Sequence, residues 1–381
     1  MCLIGIWFCF QIFRYKGVVD YIRYMISVKK WERDMRTLDE GAKVENLVIG
    51  KSIEKPAEMI YDLRRAAECH KIVRRNIQEY VKPGLKLLDI CERVENNVVE
   101  VFGRNDMSAG IAFPTGMSVN NVIAHQTCDS GDPRVLGVDD LLKLDFGTHV
   151  NGYIIDSAFS VAFNEEYQPL LDAAQDAVWT AIKMSGVDAS IYDISKGIKE
   201  VIESYEVTIK GKTYPLKPIR DLGGHSIGRY RVHSDQIILC APYESEEYKG
   251  SRMREGQYAI ECFPSSGSGK MFKSRSKVTD HYMASGEVLD NYRGKLKTIQ
   301  GVYNWIKKNR GTLAFTPRWL EKDGVKGYKI GLNEFSRRVN PPIITEYPPL
   351  EDIPGSYVSQ YEHTIYVHEN GTEVLSAGDD Y

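Results

Sequence analysis

The chain has no CxxC pair, and its seven cysteines (2, 9, 69, 91, 128, 240 and 262) are scattered and odd in number. That argues against a thiolate zinc site or a disulfide framework and for free thiols in a reducing compartment. Nor is there an apolar run that reads as a membrane span. The N-terminal MCLIGIWFCFQIF stops after 13 residues, where a bilayer needs about 20. It also lacks the basic flank that opens a secretion signal, since Arg14 and Lys16 follow it. A buried strand, or extra sequence upstream of a start at Met25, accounts for it better. The net charge is only −3 over 381 residues, so no nucleic-acid signature covers the molecule as a whole. The charge is uneven, however. Residues 286–345 carry 12 Lys/Arg against 5 Asp/Glu, and the remainder 37 against 47.

What is present is an ordinary globular composition, 43% hydrophobic and 27% charged. Residues 1–55 form an extension of mixed charge and no clear period. Apolar residues then recur at helical spacing from Ala57 to Tyr80 (Ile60, Leu63, Ala67, Ile72), and Lys82-Pro83-Gly84 ends that helix. A second helix covers 86–102, and a β-rich block runs from Ile111 to Phe163. The pattern then partly repeats. An amphipathic helix at 168–185 is followed by SIYDISKGIKEVIESYEV (190–207), which echoes KLLDICERVENNVVEV (86–101): each has Asp-Ile and then apolar residues four and eight places on. A second β-rich block spans 213–263. Two related α-then-β halves are expected, with the basic 286–345 stretch as a helical interruption of the second. Strand-like alternation resumes at Tyr357–Val367.

Inside the first β-rich block, LKLDFGTHVNGYIIDSAFSVAF (142–163) holds Asn151-Gly152 between alternating runs, a strong hairpin signal. A two-residue turn there pairs residue i with 303 minus i. Asp145 then opposes Ala158, and Asp156 lies diagonally beside Asp145 on the same face. Two like charges so placed repel unless one is protonated or a cation sits between them. Two solvent-exposed strand carboxylates are the alternative, and periodicity alone does not choose. Further ligand-type residues stand in apolar, strand-like settings: His225 and His233 in LGGHSIGRYRVH, Glu261 in YAIECF and Glu362 in SQYEHTIYV. Four carboxylates with an imidazole suit Mn, Fe, Co or a catalytic Zn ion, and balance the charge of two divalent ions.

IAFPTGMSVNNVIAHQT, LLKLDFGTHVNGYIIDSAF, GGHSIGRYRVH, AIECF, YPPL, QYEHTIYV and GDDY together resemble methionine aminopeptidase type 2, in order from about Asp62 to the C-terminus. The resemblance implies an α+β pita-bread fold: two pseudo-symmetric halves, a curved antiparallel sheet, outer helices, and the type 2 helical insertion at about 286–345, all within a catalytic domain spanning 56–381. It implies that two divalent metal ions (Co, Mn, Fe or Zn) are bound, one by Asp145, the other by His225 and Glu261, with Asp156 and Glu362 bridging. His125 would handle the substrate and leaving nitrogen, His233 would contact the substrate carbonyl region, and Glu261 would double as proton carrier. Phe113, Val232, Phe263, His281 and Tyr347 would line a pocket for a methionine side chain. The implied activity is removal of initiator methionine from nascent polypeptides whose second residue is small, by a cytoplasmic monomer without a membrane span. Met117, Pro264, Ser268 and Ser234-Asp235 depart from the family pattern and leave the ligand motifs intact. The long polybasic and acidic N-terminal tract of animal type 2 enzymes is missing. Two other readings are a non-catalytic RNA- or ribosome-binding protein of the same fold, which would lack the ligand set, and an Xaa-Pro peptidase, which YPPL and the insertion oppose. The basic 286–345 stretch, with Lys307, Lys308 and Arg310, is a candidate face toward ribosomal RNA.

Overall fold

Asn151 and Gly152 both take positive φ, 49° and 82°, the left-handed pair that a type I′ hairpin turn requires. Val150 therefore faces Tyr153, Asp145 faces Ala158 and Gly147 faces Asp156, the register expected from the turn. The computed structural model describes residues 47–50, 58–274, 279–292 and 297–381. All of them belong to the larger of two units, Asn46–Tyr381. The N-terminal apolar run and Met25 lie outside the described residues.

Two helix pairs cover two antiparallel sheets. Helices α1 (Glu58–Tyr80) and α2 (Leu87–Phe102) precede a three-stranded sheet made of β2 (Ala109–Val119), β3 (Leu141–Val150) and β4 (Tyr153–Ala162). Helices α3 (Gln168–Met184) and α4 (Ile191–Glu203) precede the other sheet. Its strands, in order across it, are β1 (Leu47–Gly50), β9 (Gly371–Val374), β8 (Tyr361–His368), β7 (Gly256–Cys262), β5 (Gly223–Ile227) and β6 (Ile237–Leu239). Strand β1 belongs to the sequence's N-terminal extension yet pairs with β9 residue for residue.

The echoed segments become equivalent helices. Ile90, Val94 and Val98 are buried from α2, and Ile194, Ile198 and Ile202 from α4, each set four residues apart on one face. Gly103 takes φ 66° to end α2, while Ser190 starts α4 by accepting from the Asp193 amide. Each helix pair has its own apolar core against its own sheet.

The halves meet where β4 runs beside β8, and side-chain hydroxyls fasten that seam. Thr364 Oγ1 accepts from the Asp156 amide at 2.8 Å and donates to the Asp156 carbonyl at 2.6 Å. Ser157 Oγ donates to the Glu362 carbonyl at 2.7 Å, and Ser160 Oγ to the Gln360 carbonyl at 2.9 Å. Each hydroxyl satisfies a backbone group that a continuous ladder would otherwise pair.

The described residues of 286–345 hold four helices, Gly286–Asn291, α5 (Lys297–Asn309), Pro317–Lys322 and Tyr328–Arg337. Their last residues differ from the helical expectation: Ile344–Tyr347 is a strand paired with His281–Ala284. The strand expected from Tyr357 begins only at Tyr361, because Tyr357 and Val358 turn instead toward Ser266 and Ser265. Arg310 needs a larger correction. It is only 4% exposed and faces the interior, so it does not contribute to a basic surface. Lys307 and Lys308 are exposed, with Lys307 3.0 Å from Asp290. Cys69, Cys91, Cys128, Cys240 and Cys262 are buried free thiols. Among the described residues no helix is long and apolar enough to cross a membrane.

Candidate metal centre and substrate cavity

Strand register brings the acids together. On β7 and β8, Glu261 faces Glu362 directly. On β5, His225 faces Ala259, two residues before Glu261 and on the same side of the sheet. Across the seam, Asp145 and Asp156 are diagonal neighbours on β3 and β4. Each half thus presents a diagonal pair of polar groups, and Glu362 joins them from the seam. His225 Nε2 lies 3.6 Å from Asp156 Oδ2 and 4.0 Å from Glu261 Oε1. Donor atoms of Asp156, His225 and Glu362 come within 4.8 Å of one another.

All five open onto one cavity of about 330 Å³, which His125 and His233 also line. Its apolar wall includes Phe113, Val232, Phe263, His281 and Tyr347, and also Met283 and Ala314. The twelve residues singled out in the sequence therefore share one space. Phe113 lies over Gly147, where any Cβ would collide with its ring; glycine is required there to let the aromatic wall approach the hairpin.

Burial dominates the electrostatics. It pushes Asp145 up to about 6. It raises Asp156 well above the carboxylate range, with Asp145 adding repulsion. Glu261 and Glu362 rise in the same way, burial first and Asp156 next. The imidazoles move oppositely: burial takes His125 to about 3 and His233 and His281 to about 4, and lowers His225 strongly. A bound cation would favour the ionised form of these four acids while the imidazoles beside them stay neutral and able to accept. Among the described residues, two buried carboxylate oxygens, Asp145 Oδ1 and Glu362 Oε2, have no hydrogen-bond partner, and such orphaned acceptors fit a divalent ion's need for oxygen ligands.

Several supports were not found from sequence. Gln360 Nε2 lies 3.2 Å from both Asp145 Oδ2 and Glu261 Oε2, donating toward one carboxylate from each half. Gln360, Glu362 and Thr364 alternate along QYEHTIYV, and period-two reasoning extended by one step would have placed all three on one face. Tyr381 Oη sits 3.0 Å from the Ala158 carbonyl and 3.0 Å from Ser157 Oγ. Its ring is covered at 4.0 Å by Arg74, which also grips Asp380. No local pattern reveals that bracing, because it joins α1 to the end of the chain. His125 holds φ 63°, a conformation sparse for non-glycine residues. Its ring bonds the Pro348 carbonyl. His281 stands between the carbonyls of His125 (3.1 Å) and Pro114 (3.2 Å); a neutral imidazole donates to one of them at a time.

Comparison with known proteins adds to this geometry. The profile of metallopeptidase family M24 matches residues 62–263. Methionine aminopeptidase 2A of Arabidopsis thaliana is 43% identical over 333 residues, 87% of this chain and 73% of that protein. Methionine aminopeptidase 2 of Saccharomyces cerevisiae is 41% identical over 360 residues, 91% of this chain and 80% of that one. Among solved structures, a thermophilic Arx1 superposes with TM-score 0.70 at 20% identity, covering 86% of this chain and 92% of its own. A methionine aminopeptidase from Thermotoga maritima superposes with TM-score 0.56 at 19% identity, covering 87% and 100%.

Proposed function

The chain belongs to metallopeptidase family M24, among the type 2 methionine aminopeptidases of pita-bread fold, and we propose that it removes initiator methionine from nascent proteins whose second residue is small. The observation that carries this reading is the convergence of four buried carboxylates and an imidazole, drawn from both halves, beside an apolar cavity wall.

The enzyme uses divalent metal, as its family does. Asp145 would hold one ion and His225 and Glu261 a second, with Asp156 and Glu362, which flank the seam, available to either half. Two ions of the Co, Mn, Fe or Zn class match the four negative charges of the set. Bound there, they supply Lewis-acid activation of water and of the scissile carbonyl. Glu261 takes the proton of the attacking water on a carboxylate oxygen and delivers it to the leaving nitrogen. His125, neutral at pH 7 and donating to Pro348, presents its second ring nitrogen as an acceptor for the substrate's N–H groups. His233, also neutral, donates to the carbonyl region. Phe113, Val232, Phe263, His281 and Tyr347 enclose the unbranched thioether, and a bulky second residue would collide beside the ions.

The test is release of methionine from Met-Gly-Met-Met with an Ala-Pro peptide left intact, activity being lost on chelation and restored by stepwise metal addition. A metal-replete protein that spares Met-Gly-Met-Met, or prefers Ala-Pro, defeats the reading. His125→Ala should keep its metal and lose about a hundredfold or more in kcat; metal analysis finding that variant empty would reassign His125 as a ligand.

A cytoplasmic location suits the five buried free thiols and a substrate leaving the ribosome. A ribosomal face on α5 now rests on Lys307 and Lys308 without Arg310. Reversing both charges should weaken co-sedimentation with ribosomes in a salt-dependent manner, and unchanged sedimentation at low salt removes it.

A further inference from the structure

We propose that Arg310 is a positioning residue that shapes the methionine pocket, one guanidinium tying together the backbones of two adjoining segments of its wall. The inference rests on the pocket assignment above and concerns what holds that pocket to size.

Arg310 leaves the end of α5, where Gly311 at φ 55° turns the chain inward. Its Nε and Nη2 donate to the Ala314 carbonyl at 3.1 and 2.9 Å. The same Nη2 lies 2.9 Å from the carbonyls of Ile111 and Ala112, and the guanidinium stacks 4.9 Å from the centre of the Trp319 ring. Ala314 lines the cavity, and Ala112 immediately precedes Phe113, which lines it too. The grip on β2 falls at an irregularity. Ile111 pairs with Thr148 and Phe113 with Gly147, so Ala112 has no partner on β3. A bulge frees a backbone group from the ladder and re-aims the neighbouring side chain; here the re-aimed side chain is Phe113, and Arg310 takes up the carbonyl.

Burying a guanidinium is costly unless strong acceptors replace water. Among the described residues no carboxylate forms an ion pair with Arg310, and burial lowers it only to about 9 against the field of Glu95, so it stays cationic at neutral pH with carbonyl dipoles as its direct partners. A buried apolar side chain would fill the same volume at less cost. What the cation adds is a fixed distance between the Ala112–Phe113 backbone and the Ala314 turn. Thr312 Oγ1, donating to the Tyr230 carbonyl at 2.6 Å, fastens that turn from its other side. A slot held this way admits an unbranched side chain and rejects branched or aromatic ones.

The experiment compares kcat and KM of wild type, Arg310→Lys and Arg310→Met, all metal-loaded, on Met-Gly, Leu-Gly and Phe-Gly peptides, with metal content and melting temperature measured alongside. Arg310→Met should lose about tenfold in its preference for methionine over leucine, the range open to one apolar packing contact, through KM more than kcat and with metal content kept. Arg310→Lys, a point donor unable to hold both segments in a fixed geometry, should fall between. If Arg310→Met does not fold, the lysine variant carries the test. A folded variant with wild-type selectivity, or one whose loss falls on kcat alone, overturns the inference. A wild-type enzyme inactive on Met-Gly overturns the proposed function instead.

Discussion

Asp156→Asn should fold, bind metal poorly and release methionine about a thousandfold more slowly than wild type, a loss of about 4 kcal/mol of transition-state stabilisation. The substitution preserves shape, and the backbone of residue 156 is held by Thr364 on both its amide and its carbonyl, so the seam survives. What changes is one negative charge amid the other ligands: Oδ2 lies 3.6 Å from His225 Nε2, and Glu261 and Glu362 both feel its field. An amide offers a weaker oxygen ligand and no charge, so ions held from both halves lose their common tie. Metal stoichiometry, kcat on Met-Gly-Met-Met and the melting temperature of the metal-free form should be measured together. The metal-free variant should melt higher than metal-free wild type, because a neutral side chain replaces a buried group that resists ionisation. Wild-type turnover by Asp156→Asn would remove Asp156 from the shared position.

The hairpin was legible because one dipeptide and a period of two set everything between 141 and 162. Once Asn151-Gly152 is the turn, a slip of one residue would send Asp145 and Asp156 to the opposite face. The acids of β7 and β8 were legible as interruptions of apolar runs, a signal that marks burial without saying what lies opposite. Their direct pairing, Glu261 against Glu362, joins positions a hundred residues apart and needs the folded sheet. Arg310 shows where sequence reasoning fails. Counting charge over 286–345 treats every cation as a surface cation, yet Lys307 and Lys308 point to solvent while Arg310, two residues on, passes the helix end and turns inward. Periodicity applies only while the helix lasts. The seam hydroxyls Ser157, Ser160 and Thr364 were silent for another reason: serine and threonine are common on strand faces, and only the abutting strand shows that they replace a backbone ladder.

Removing the metal should expose a pH dependence that the loaded enzyme lacks. The carboxylates of the site have folded-state pKa values raised above their unfolded ones, Asp145 to about 6, with Asp156, Glu261 and Glu362 raised in the same direction by burial and by one another. Groups of that kind contribute stability that is fully present below the unfolded carboxylate pKa of about 4 and lost as pH rises through the folded value. The imidazoles of His125, His233 and His281 act in the other direction, lowered to about 3 to 4, so their contribution is present above about 6.5 and lost on acidification. Because these three are not assigned as ligands, their effect is common to loaded and metal-free protein and drops out of the difference. What remains is competition between protons and cations for Asp145, Asp156, Glu261 and Glu362. At pH 5 protons already relieve the repulsion and the cations add little. At pH 7.5 fewer protons compete, Asp145 lying above its value of about 6, and at a hundred times the dissociation constant the cations stabilise by about 2.7 kcal/mol, a rise of several degrees in Tm. Scans of the chelated and metal-refilled protein at both pH values should give a markedly larger gain at pH 7.5, and Asp156→Asn should shrink that gain. Equal gains at the two pH values would mean that the stabilising ions sit away from this carboxylate cluster, since no other arrangement of these groups frees cation binding from proton competition.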